Sequence, residues 1–204
     1  MKSILIHSPH LHENSMFKQD PWNLSYDLWI HFRDKLYELG YELKTSDNNS
    51  LDNCEWVFFY DEPSVNRYKG LRGKLIRLKS KVQGKPVFRD LYKECIKAGM
   101  ENKIALFLWE PASVVSKNWN PNLHNLFPFI FTWHDDYVDR KKFTKINWPQ
   151  SAQFPEIPII DFKDKKLLVN ISMNKSSTHP RELYSERLNS IRYFEKYQTD
   201  NFDL

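Results

Sequence analysis

Cysteine is nearly absent from this sequence. Cys54 and Cys95 are the only two among 204 residues, and they stand in neither a C-x-x-C nor a zinc-ligand spacing, so they read as two ordinary reduced thiols in a reducing compartment. No apolar run approaches the roughly 18 residues of a membrane span. The opening M-K-S-I-L-I-H-S-P-H is too short in its apolar part for a secretory leader. The glycine-rich phosphate motifs G-x-G-x-x-G and G-K-[ST] are missing, which removes the generic nucleotide signals. A strong charge imbalance is missing too: the net charge is +4 and the pI is near 8.9, with the basic residues spread along the chain. That is no nucleic-acid signature, but it suits an anionic ligand or an anionic membrane surface. The expectation is a soluble, cytoplasmic protein, membrane-peripheral at most, with no nucleic-acid partner.

What is present points to a folded α/β protein. Hydrophobic residues make up 41% and charged residues 27% of the chain, a globular composition. Aromatics reach 15%, with seven Trp, fourteen Phe and ten Tyr. Most of them suit a core, and an aromatic-lined cleft for sugars or bases is a second use. Short apolar runs at 3–6, 41–45, 56–60, 104–109 and 129–133 read as strands. Between them, 24–39 shows Leu28, Trp29, Phe32, Leu36 and Leu39 at helical spacing, with Gly40 to end it. Segment 71–82 is a basic amphipathic helix, read as a solvated face or as a nucleic-acid or membrane contact. Segment 87–98 is a further helix stopped at Gly99, and 144–149 an edge strand. This alternation predicts a Rossmann-like parallel sheet over 1–150. A proline-containing stretch over 151–164 reads as a linker. Over 165–204 a strand, a polar loop and a helix opened by Pro180 look like the first unit of a second Rossmann-like domain.

The chemistry concentrates at strand ends. Residues 103–111 read K-I-A-L-F-L-W-E-P: a buried strand that stops on Glu110, because Pro111 cannot continue a central ladder. In open α/β sheets, ligands bind outside the carboxyl ends of the strands. The runs at 56–60 and 129–133 also stop on acids, at Asp61-Glu62 and His134-Asp135-Asp136. His7, His10 and His12 lie in a polar loop leaving another strand end, but no helix-face pair, cysteine or paired carboxylate joins them into a metal set. That loop is read as ligand-facing. Arg181 is expected in the first turn of the last helix, where backbone N–H groups and the positive dipole end form an anion site.

Residues 165–196, K-K-L-L-V-N-I-S-M-N-K-S-S-T-H-P-R-E-L-Y-S-E-R-L-N-S-I-R-Y-F-E-K, resemble the start of the donor domain in glycosyltransferase family 10, the bacterial α-1,3/1,4-fucosyltransferases. The L-W-E-P stretch, F-I-F-T-W-H-D-D-Y-V-D and W-P-Q at 148–150 follow in the order of that family. The resemblance implies two Rossmann-like domains facing across a cleft, the GT-B arrangement. It implies inverting transfer of fucose from GDP-fucose to a glycan or lipopolysaccharide hydroxyl, with no metal or other cofactor. Glu110 falls at the position of the general base, with His10, Trp109 and His134 assigned to the acceptor. Arg181 falls at the position that contacts the donor diphosphate, with Asn174 and Lys175 of the preceding loop assigned to the donor as well. The family's main nucleotide-binding segments follow the first strand–helix unit of the second domain. The chain is therefore expected to be a fragment, lacking the remainder of the donor domain and inactive alone. The alternative is a non-catalytic sugar-binding or interaction module that retains the acceptor half.

Overall fold

The computed structural model describes residues 1–8, 13–18, 27–66, 70–84, 89–147 and 159–203. Its centre is a six-stranded sheet, β1 (Lys2–His7), β2 (Tyr41–Thr45), β3 (Cys54–Tyr60), β4 (Ile104–Leu108), β5 (Phe129–Thr132) and β6 (Phe143–Lys145). The order is β2-β1-β3-β4-β5-β6 and every neighbouring pair is parallel. All six strands therefore deliver their carboxyl ends to one edge. The order reverses between β1 and β3, which makes their shared end the switch-point crevice of the sheet.

The two faces are packed differently. Alternation along the strands sends Leu5, Val57, Phe59, Ile104, Leu106, Leu108 and Ile130 to one face. There they meet Leu91 and Cys95 of α4 (Leu91–Lys97) and Leu123 of α5 (Pro121–His124). Ile4, Ile6 and Leu43 point to the other face, where Trp29 of α1 (Asp27–Glu38) is buried and Leu28, Phe32 and Leu36 pack at its sides. Burying each such side chain is worth roughly 1.5–3 kcal/mol. Two short helical pieces follow β3: α2 (Pro63–Asn66) and the longer α3 (Gly70–Val82).

The passage from β2 to β3 uses no helix. Residues 46–53 cross β1 as extended chain and turns. Backbone groups in such a crossover need outside partners, and Arg89 supplies them. Its Nη1 donates to the carbonyls of Ser46, at 2.9 Å, and Asn49, while its Nε donates to Glu94 Oε2 at 2.7 Å. Leu51 packs against the core beneath.

A second unit holds β7 (Leu168–Val169), α6 (Tyr184–Tyr197) and β8 (Phe202–Asp203), with β7 and β8 paired in a separate parallel two-stranded sheet. The strand expected at the start of 165–204 is thus only two residues long. Leu167, Val169 and Ile171 are exposed, so no apolar layer holds a longer strand flat. The helix expected over 87–98 starts at Leu91, where Asp90 caps it by accepting from Lys93 N–H. The edge strand expected over 144–149 is Phe143–Lys145. His10, His12, the W-P-Q at 148–150 and residues 151–158 of the expected linker lie outside the described residues.

Candidate functional site at the strand ends

Asp61 organises the carboxyl edge. It follows β3 at φ +58°, a left-handed conformation that Asp tolerates better than most side chains. This bend turns its carboxylate back under the end of β4. Asp61 Oδ1 accepts from Trp109 N–H at 2.8 Å, Glu110 N–H at 3.3 Å and Asn118 Nδ2 at 2.6 Å. Asn118, itself fully buried, also donates to the Glu110 carbonyl at 3.0 Å and accepts from Glu62 N–H at 2.7 Å. The backbone at Glu110 is thus clamped by one carboxylate and one carboxamide, neither of which the sequence motif contains. Burial pushes the Asp61 carboxyl up to about 6, against the three N–H donors that favour its ionised form. At neutral pH it is mostly an anion.

The side chains around that clamp are aromatic. Tyr60 ends β3 and lies 5.7 Å from the Trp109 ring, and Trp29 reaches both from α1 at 5.9 and 6.0 Å. Burial, with the Asp61 and Glu110 carboxylates adding to it, drives the Tyr60 phenol well above its ordinary value, so it stays a neutral O–H. Trp133, just past β5, donates its Nε1 to the Trp109 carbonyl at 2.9 Å. His134 stacks on Trp133 at 5.6 Å and meets Trp119 and Tyr137 at 5.2 Å each. Its Nδ1 lies 3.9 Å from Asp136 Oδ2. Beneath this crest His124 Nε2 donates to the Asn118 carbonyl at 2.7 Å, and burial lowers its pKa, so it is neutral.

No family model matches the chain, and no curated protein or solved structure is significantly similar to it.

Of the residues expected from sequence, Glu110, Trp109 and His134 share this edge, while His10 lies outside the described residues. The loop after Glu110 meets the loop before α6. Ser177 Oγ donates to the Ser113 carbonyl at 2.8 Å, beside an open cavity of about 650 Å³ lined by Ser113, Val114, Ser116, Thr178, His179 and Pro180 among others. Asn174 and Lys175 are exposed and face the flank of α6, where Arg187 and Arg192 line a cavity of about 330 Å³ with them. Those two arginines were not singled out from the sequence. They lie five residues apart on the helix, outside the loop and first turn where anion sites are usually sought.

Arg181 requires a correction. It does not sit in the first turn of a helix opened by Pro180. The helix begins at Tyr184, and Pro180 and Arg181 form a turn ahead of it. The reason is Glu182, whose carboxylate accepts from Tyr184 N–H, Ser185 N–H and Ser185 Oγ. An acidic side chain thereby satisfies amides that would otherwise face an anion.

Among the described residues no group of three or more His, Cys, Asp or Glu could hold a metal ion. Both cysteines are free; Cys95 is buried, its thiol pushed up to about 12 by that burial, which makes it unreactive.

Proposed function

We propose that the edge around Glu110 is the acceptor site of a fucosyltransferase-like, GT-B glycosyltransferase, which transfers fucose from GDP-fucose to a glycan or lipopolysaccharide hydroxyl with inversion. The observation that carries this reading is Glu110, its backbone held at the carboxyl end of central strand β4 by the Asp61–Asn118 clamp, next to Trp109, which packs on Tyr60 and Trp29 and accepts from Trp133. Rings of this kind give sugar faces an apolar surface to lie on, and a carboxylate beside them can take a hydroxyl proton. Glu110 removes that proton as the acceptor oxygen attacks the anomeric carbon of fucose. The bond from that carbon to the diphosphate oxygen breaks, and GDP departs with its charge met by cationic side chains. Lys175, Arg187 and Arg192 are the candidates for that task in the second unit. The resemblance of residues 165–196 to a donor-domain start supports the same reading.

The test, run with a complete donor domain present, is transfer from GDP-fucose to N-acetylglucosamine-bearing oligosaccharides, comparing the wild type with Glu110→Gln. The variant is expected to lose about 10²–10⁴-fold in rate, as general-base removal does. A loss under about tenfold would remove Glu110 from that role.

One observation favours a second reading, a sugar-binding module without transfer: the amides at the start of α6 are already occupied by Glu182. Calorimetry separates the two. With the donor domain complete, binding of both GDP-fucose and acceptor supports the transferase, and binding of acceptor alone supports the module.

A further inference from the structure

Helix α3 is attached to the protein by its back. Gly73 is buried, and Ile76 and Arg77 are half-buried. On the opposite side Leu71, Leu75, Leu78 and Val82 are 79, 65, 61 and 80% exposed. At about 100° per residue these four fall within a stripe roughly 60° wide. Lys74 and Lys81 border it on one side and Lys79 on the other, and no acidic residue occurs between Gly70 and Gly84. A four-residue apolar stripe opposite the attachment face cannot come from core packing. It is also not the pattern of a solvated helix, which puts charge at that position.

We infer that α3 is an interfacial helix that lays the Leu71–Leu75–Leu78–Val82 stripe into an anionic lipid surface, with its lysines meeting the headgroups. Charge complementarity selects this occupant. The stripe is a narrow apolar ridge between cationic rows, the arrangement of helices that lie in a membrane interface. Each lysine near an anionic leaflet adds attraction. A second copy of the chain docking through the same ridge would bring the lysine rows of the two helices together, which disfavours association. A nucleic acid would use the lysines but would leave four apolar side chains in water. The inference rests on α3 alone and is independent of the assignment of Glu110.

The test is flotation of the full chain with phosphatidylcholine vesicles and with vesicles of phosphatidylcholine mixed with phosphatidylglycerol. The wild type is expected to float with the mixed vesicles and weakly or not at all with the neutral ones. Leu71→Ser/Leu75→Ser/Leu78→Ser is expected to lower partitioning about a hundredfold while keeping the circular dichroism and thermal transition of the wild type, because the three side chains already face water. Lys74→Gln/Lys79→Gln/Lys81→Gln is expected to erase the preference for the anionic vesicles. Absence of wild-type flotation overturns the inference, as does flotation that neither variant changes. Two alternative outcomes also overturn it: a dimer in sedimentation velocity that only the leucine variant dissociates, and DNA binding that only the lysine variant loses.

Discussion

Asp61 holds the backbone N–H groups of Trp109 and Glu110 at the carboxyl edge of the sheet. It reads as one of several acids after a strand, yet it is 4% exposed and carries three N–H donors on one oxygen. What hid it is its partner: Asn118 lies 57 residues away, in a stretch with no helical or strand period. Glu110 was legible because an apolar run and a proline bracket it. The raised value of Asp61 has a definite sign. A carboxyl that titrates near 6 when folded and near 3.8 when unfolded favours the folded state when protonated. Its penalty is absent at low pH, grows as pH rises through that window and is complete above it, reaching about 3 kcal/mol. Asp61→Asn keeps an oxygen acceptor for the same donors without the charge. The stability of the variant relative to wild type is therefore expected to rise by up to about 3 kcal/mol between pH 4 and pH 7, read by urea denaturation at each pH. A constant difference across that range would refute the assignment. His124 acts with the opposite sign: burial lowers its pKa, so it costs stability as pH falls below its unfolded value, and it is unchanged in the comparison.

At the scale of elements, the parallel strands and α1 were readable because their periods are regular and their ends carry glycine, proline or acids. Each of the first five strands lies where its apolar run predicts. Two elements were not readable. The crossover at 46–53 looks like an ordinary turn cluster, because what makes it a crossover is the distant guanidinium of Arg89. Arg89→Ala strands the Ser46 and Asn49 carbonyls and frees Glu94, and is expected to cost about 2–4 kcal/mol, measured as a lower denaturation midpoint at unchanged m-value. A change under about 0.5 kcal/mol would mean that water replaces the guanidinium at those carbonyls. The start of α6 was misread for a related reason. Proline is a good opening residue, but Glu182 caps better from two residues ahead of Tyr184, and an acid there also favours the positive end of the helix.

At the scale of the whole molecule, one sheet edge gathers the ends of β1, β3, β4 and β5, and the residues with the most chemical character lie on it. The fold class was legible from alternation of strands and helices. The strand end that carries the candidate site was legible because a single segment forms it, as at Trp109-Glu110, and the meeting of two loops distant in sequence, as at Ser113 and Ser177, was not. Both functional readings share one claim, that a sugar acceptor sits against the aromatic crest beside Glu110. The most direct test is the indole N–H region of a ¹H–¹⁵N spectrum during titration with an N-acetylglucosamine-bearing oligosaccharide, with each resonance assigned by single Trp→Phe substitution. The Trp109 and Trp133 indole signals are expected to shift with saturation while that of Trp56, at the far end of β3, stays fixed. Glu110→Gln is expected to weaken the titration. Signals at Trp109 and Trp133 that do not move at saturating oligosaccharide, or that move no more than that of Trp56, would contradict that claim.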